Sequence, residues 1–524
     1  MMRTAVQGPE WLLRKGLKDE LNGRNWRRLA AKLATPGSNI TVVVFGGSAS
    51  TGFGLQLRNA NWVSQFCSWL QSAFINTNII QVNLARDATN VPMAETCWYH
   101  HTPPEADLVL IEYNLNSCSY FNCFSVVTPQ IIAYESLIRR LIRKVPNAAL
   151  LAFDMFSFDT FDVATPNNNG TRQIPAPYYN SGEEVHSMLA TRYNMPLISA
   201  RDALYDIMWS DKALTRILNA TRKDLLRDTR HPTIMGHALY GRGLVAWGVR
   251  QTLALELQAL AADGAAATPN EAVPRPVSPL VAQIDGDSWC AEGRDLQSYV
   301  VASSSGSSGA ADTGVISGNN TSEAGAVVPT NGTMIVNATA SKQAVVDWQL
   351  EELTFTRGCK LPNCQSIGMQ ARGRGSTLDL QLDLSAAKSP SGTLNRRAIT
   401  VFFMSGVIHL PGEKGTVGQA QLSCESGCTC RPMLLEGARG DTKATVATNS
   451  TEVLGGPACT VRITIKDNDW VRVQALAVVP YTNAIMHTLV DVGAIGLKYS
   501  DGTTPPLGHR RRLQGQQLPA AATA

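Results

Sequence analysis

Ser48 stands in Gly46-Gly47-Ser48-Ala49-Ser50-Thr51-Gly52, directly after the apolar, β-branched run Ile40–Phe45. Far downstream, Asp228 and His231 share the short stretch Asp228-Thr229-Arg230-His231-Pro232. A serine on a small-residue turn at the end of a buried strand can present its hydroxyl to a substrate. A histidine can take the proton of that hydroxyl, and a carboxylate three residues before it can fix the tautomer and stabilise the imidazolium. Acyl transfer through a serine nucleophile is therefore the leading expectation, with Ser48, Asp228 and His231 as the catalytic residues. No GxxxxGK[ST] or GxGxxG follows the strand, which argues against a nucleotide-binding loop.

These groups can meet only if a sheet brings the end of the first strand beside a loop near residue 228. From about Ile40 to Ala262, strand-like apolar runs alternate with helix-like stretches. Strands are expected at Ile40–Phe45, Ile79–Leu84, Leu108–Glu112, Ala149–Phe153 and Pro196–Ile198. Helices are expected at Gln56–Phe74, Gln130–Lys144 and Gly182–Tyr193, with a long closing helix over Pro232–Leu260 that carries proline in its first turn. This alternation predicts an α/β fold, a flavodoxin-like parallel sheet with helices on both faces. Ligand crevices in such sheets form beyond the carboxyl ends of the strands, where Ser48 lies.

The rest of the chain has a different pattern. A helical extension over 1–38 precedes the expected catalytic domain at 39–262, and an Ala/Pro-rich linker covers 263–280. A β-rich domain follows at 281–502, with a Ser/Gly/Asn-rich insertion at 303–340, and the tail 503–524 reads as disordered. Leu378-Asp379-Leu380-Gln381-Leu382-Asp383-Leu384 alternates strictly, and Ile399–Phe403, Ala420–Ser423, Thr460–Ile465 and Val471–Val479 continue in short strands. They predict a β-sandwich or jelly-roll.

Composition narrows the partners. At 524 residues, 44% hydrophobic and 17% charged, the chain can bury sizeable cores. The net charge of +4 includes Arg510-Arg511-Arg512, so no nucleic-acid partner is expected. No apolar run is long enough for a transmembrane segment. Of the eleven cysteines, Cys424, Cys428 and Cys430 form CxxxCxC, with Cys459, Cys359 and Cys364 around them. Such spacing can bind metal, but His409 is the nearest histidine, and disulfides are the better reading. Cys118 and Cys123 read as a loop disulfide or as partners of Cys97. Sequons begin at Asn39, Asn169, Asn219, Asn319, Asn320, Asn331, Asn337 and Asn449. With the cysteines they favour a secretory, extracellular or cell-wall location, although Trp11–Arg28 is too basic for a signal peptide.

GGSASTG, then LVLIEYNLN, then DTRHPTIMGH, in that order, resemble the SGNH (GDSL-type) hydrolase superfamily over roughly Ile40–Leu260. The Gly-Gly-Ser variant resembles a branch seen in plant and green-algal cell-surface-like proteins, in which a β-domain is appended. The resemblance implies that Ser48 is the nucleophile and that Asp228 and His231 complete its triad. It also implies an oxyanion hole built from the side chain of Asn116 and the backbone N–H of Ser48, with Ser117 where the family has aspartate. A second backbone donor, usually from a glycine, falls here on Asp87 or Ala88. No cofactor and no metal are implied. The expected substrate is an acyl ester, with O-acetyl groups on a polysaccharide as one class. The alternatives are an acyltransferase with a sugar acceptor and an inactive glycan-binding surface protein. Among lesser candidates, Glu112 reads as a structural acceptor, Asp154 could line the pocket, and His237 belongs to a helix face.

Overall fold

The apolar run after Asn39 forms the centre of a parallel sheet. The computed structural model describes residues 8–18, 25–117, 126, 128–164, 171–179, 181–263, 272–278, 281, 288–292, 296, 298–301, 348–354, 365–387, 397–405, 407–410, 413–437 and 445–480. Strand β1 (Asn39–Gly46) pairs with β2 (Asn78–Asn83) on one edge and β3 (Ala106–Glu112) on the other. Beyond β3 lies β4 (Ala149–Asp154), while β5 (Thr160–Ala164) and β6 (Thr171–Pro175) form a separate antiparallel hairpin. With β7 (Leu197–Ser199) the order is β2-β1-β3-β4-β7, all parallel. The five expected strands are all present, with ends moved by one or two residues.

Burial on both faces explains why β1 reads as one continuous apolar run. Ile40, Val42 and Val44 enter a core with Leu12, Trp26, Leu29, Trp62, Phe66 and Leu253. Val43 and Phe45 point the other way, into a core with Met93, Ile131, Tyr134, Leu137 and Leu189. Helices Glu10–Lys15, Trp26–Ala34, Trp62–Ala73 and Ala246–Asp263 thus cover one face, and Val91–Thr96, Pro129–Lys144 and Glu183–Arg192 the other.

Two expected helices differ from their sequence readings. Gln56–Phe74 becomes a 3-10 turn at Arg58–Ala60 and a helix from Trp62, because the Asn61 side chain caps Ser64 N at 3.0 Å. The long closing helix starts after the Thr233 N-cap, so Pro232 lies outside it. It runs through Ile234–Ala238 and a π-helical stretch, Leu239–Val245, before Ala246–Asp263. The π-helical stretch lies where backbone meets backbone: a Cβ on Gly241 would be 2.2 Å from the Trp62 carbonyl oxygen.

The second part is antiparallel. Its strands are β8 (Trp289–Glu292), β9 (Trp348–Thr354), β10 (Gln365–Arg372), β11 (Thr377–Asp383), β12 (Arg397–Ser405), the hairpin β13 (Val407–Leu410) and β14 (Glu413–Thr416), β15 (Gln419–Cys430), β16 (Met433–Glu436), β17 (Thr445–Ile465) and β18 (Trp470–Pro480). One hydrogen-bonded sheet runs β16-β15-β17-β12-β18-β10-β9, with β11 added to β17 and β8 to β18. Leu378, Leu380 and Leu382 point into its core with Ile399, Val401, Val461 and Val478, as the alternation predicts. The strands β12 and β18 are buried on both faces. Ala398, Phe402, Met404, Ala475, Ala477 and Val479 turn away from that core and join the one beneath the α/β sheet. The two parts therefore share an apolar core.

Candidate active site

At the end of β1 the chain turns at Gly47 into a single helical turn, Ser48–Thr51. A Cβ on Gly47 would lie 2.0 Å from Asn116 Nδ2, so any side chain there would push the Asn116 amide off the turn. Ser48 Oγ lies 2.8 Å from His231 Nε2. His231 Nδ1 lies 2.7 Å from Asp228 Oδ2. Asp228 Oδ1 accepts from the backbone N–H groups of Arg230 at 2.7 Å and His231 at 2.8 Å. The three residues expected from sequence are thus brought together, 183 residues apart along the chain at Ser48 and His231.

Electrostatics and local bonding hold this chain of contacts in one orientation. Partial burial pushes the Asp228 carboxyl up, but the His231 contact and the two N–H groups outweigh it and hold the group well below the usual carboxylate range. An anionic Asp228 keeps the proton on Nδ1 and leaves the Nε2 lone pair facing the Ser48 hydroxyl. The loop is tied at Arg227 N to His231 O, 2.9 Å, and at Phe158 N to Thr229 O, 2.9 Å. Arg230 Nη2 reaches Asp159 Oδ2 at 3.0 Å. Phe53 packs against the imidazole with centroids 4.8 Å apart, and the exposed Arg227 lies over the Phe53 ring.

The oxyanion candidates lie around the same turn. Asn116 Nδ2 donates to Thr89 O at 2.8 Å, which fixes its amide plane and leaves its second N–H. Among the described residues, the N–H groups of Ser48, Asp87 and Ala88 meet no protein acceptor. Ala88 adopts the left-handed region, φ 58°, that a glycine takes readily. Asp87 turns its carboxylate to Arg58 Nη1 at 2.6 Å and to the Thr51 hydroxyl. Burial raises this carboxyl above its ordinary value, while Arg58 and Thr51 pull it back. Its charge therefore has a buried counter-ion. Sequence offered no signal for Arg58, a lone arginine in a stretch read as helix.

Behind the turn, Glu112 is fully buried and accepts from Ser50 Oγ at 2.7 Å, while Trp62 Nε1 donates to that hydroxyl at 3.0 Å. Glu112 is thus the structural acceptor expected of it. Burial lifts its carboxyl to about 8, against the Ser50 hydroxyl and the Gly47 N–H that lower it. The folded protein holds a proton that the unfolded chain releases near 4.5, so this group makes stability fall as pH rises from there through about 8. Glu112→Gln is expected to remove that component. Urea unfolding of both proteins at about pH 5, 7 and 9 checks it, and equal pH slopes would refute it.

Other candidates lie elsewhere. Asp154 does not line the site: it is fully buried and paired with His186 Nδ1 at 2.9 Å. Buried on its helix, His237 accepts from Trp62 N at 3.1 Å. Cys97 pairs with Cys290, a partner missing from the sequence reading. The cluster pairs as Cys424–Cys430 and Cys428–Cys459, and Cys67 is a free buried thiol pushed up to about 12. Cys118, Cys123, Cys359 and Cys364 lie outside the described residues, as do the insertion at 303–340 and the tail. Among the described residues no helix is long and apolar enough to cross a membrane.

No protein-family model and no curated protein matches the sequence. Solved structures do. A two-domain esterase active on acetylated mannans aligns over 88% of this chain and 97% of its own, at 15% identity and a TM-score of 0.49. A lipase/acylhydrolase from Enterococcus faecalis covers 41% of this chain and 96% of its own, at 14% identity and a TM-score of 0.26. A psychrotrophic esterase, EstA from Pseudoalteromonas sp., covers 43% and 99%, at 16% identity and a TM-score of 0.26. What this chain can do follows from its own site.

Proposed function

We propose that the protein is a serine esterase that cleaves an acyl ester through an acyl-enzyme. The Ser48–His231–Asp228 relay at the carboxyl end of β1 carries this reading. Ser48 Oγ attacks the carbonyl carbon and its proton passes to His231 Nε2, while Asp228 stabilises the imidazolium. The negative charge on the carbonyl oxygen is met by the Ser48 N–H, the Asn116 amide and the N–H of Ala88. Collapse of the tetrahedral species expels the alcohol, which takes the proton from Nε2. Water then enters by the same steps in reverse, and the acid leaves.

An inactive fold is the weaker reading. It turns on a carboxylate at Asp87 opposing the oxyanion, and the Arg58 guanidinium 2.6 Å away compensates that charge. The finer assignment, O-acetyl groups on carbohydrate, is proposed as the first substrate class to screen. The decisive test is an alkyl fluorophosphonate probe on folded, full-length protein, followed by peptide mass spectrometry. Labelling is expected at Ser48 in the wild type and absent in His231→Ala. A folded protein whose Ser48 stays unlabelled sinks the reading. Acetylated glycans with and without an acceptor sugar then separate hydrolysis from transfer.

A further inference from the structure

The loop after β2 is gripped from two sides. On the α/β side, Leu84 N donates to Val44 O at 2.8 Å and Arg86 N to Gly46 O at 3.0 Å. On the other side stands the first stretch of β17. Val446 N donates to Ala88 O at 3.1 Å, and Val446 O accepts from Asn90 Nδ2 at 3.1 Å. Thr89, held between these two bonds, offers its carbonyl to Asn116 Nδ2. Asn116 in turn lies on Gly47, next to Ser48. A continuous run of contacts therefore links a β-domain strand to the serine turn.

The loop's own conformation calls for such a grip. Ala88 sits at φ 58°, where a Cβ crowds the backbone, and such a residue persists where its surroundings fix it. The segment is anchored again further on. The Cys97–Cys290 disulfide, Ser288 Oγ to Thr96 O at 2.8 Å and His101 Nε2 to Glu292 Oε1 at 2.8 Å tie its far end around β8.

We propose that Val446 is a positioning residue for the esterase site. Its backbone sets Ala88, Thr89 and Asn90, and through them the Asn116 amide and the Ala88 N–H, against Ser48. The β-domain is on this account part of the oxyanion machinery, acting through a strand 356 residues downstream of Asn90. The inference rests on the esterase reading.

Three variants of the full chain test it on 4-nitrophenyl acetate. Asn90→Asp keeps an acceptor for Met93 N, the helix cap, but cannot donate to Val446 O. Val446→Pro deletes the donor to Ala88 O at a position whose N–H points away from β12. Val446→Ile keeps the N–H. In folded Asn90→Asp and Val446→Pro, kcat is expected to fall about tenfold or more. KM and the pH midpoint should stay where they are, and Val446→Ile should match wild type. Should Val446→Pro fail to fold, Asn90→Asp carries the test alone. Wild-type kcat in the folded variants, or a loss confined to KM or melting temperature, would overturn the proposal. Ser48→Ala in the same assay keeps the two readings apart. If it is as fast as wild type, the esterase reading fails; if only the clamp variants are silent, the clamp fails alone.

Discussion

Ser48→Ala is expected to lower turnover of an acyl ester by roughly ten-thousand-fold or more, with the melting temperature unchanged. The asymmetry follows from what the hydroxyl touches. The hydroxyl bonds His231 Nε2, whereas the turn itself is held by backbone bonds from Ser50 and Thr51 to Gly47 O. Removing one half-buried oxygen leaves those intact. His231→Ala should cost about as much, and the double variant hardly more than either, because nucleophile and base act as one unit. Steady-state rates and thermal unfolding of the three variants check this. Turnover retained in Ser48→Ala would mean that the hydrolysis, if any, is done elsewhere.

The Ser48, His231 and Asp228 arrangement was legible because it is local at each end. A small-residue turn follows a strand, and an Asp-x-x-His pair shares one loop, so each half announces its chemistry; the parallel sheet then accounts for their meeting. The strands of the α/β part were legible for the same reason: β1 and β3 are buried on both faces, which writes itself as unbroken apolar runs. The pattern was poorer where partners come from far away. Cys97 looked toward Cys118 and Cys123 because they are close in sequence, yet its partner Cys290 is 193 residues on. Nothing in a single arginine at 58 says that it will face Asp87. Nor does a valine in a β-strand show that its N–H serves a loop in another part of the chain. The closing helix expected over 232–260 starts only after the Thr233 cap and passes through the π-helical stretch Leu239–Val245, which no residue type in it announces.

Arg58→Ala is expected to cost about 3–5 kcal/mol of stability at neutral pH, because it strands a carboxylate in the interior. Asp87 is 4% exposed, and with Arg58 gone only the Thr51 hydroxyl remains of the two side chains that hold it. The pH dependence separates this cause from a simple loss of packing. Without its guanidinium, the Asp87 carboxyl moves further above its ordinary 3.8 in the folded state. The folded variant then holds a proton that its unfolded chain has lost, so its stability falls as pH rises above about 4. The deficit against wild type should be smallest near pH 4 and grow toward neutrality. Adding Asp87→Asn should recover much of it, since the neutral amide can still bond Thr51. Urea unfolding of the single and double variants across that range measures both effects. A deficit that is flat with pH and unrelieved by Asp87→Asn would assign the loss to the missing side-chain volume. The same pair bears on chemistry: the Thr51 hydroxyl, whose proton goes to Asp87, lies 2.9 Å from the Ser48 carbonyl oxygen. In Arg58→Ala, an unbalanced negative charge would stand beside the turn proposed to receive an oxyanion. Its kcat should therefore fall, and Asp87→Asn should restore it in parallel with stability.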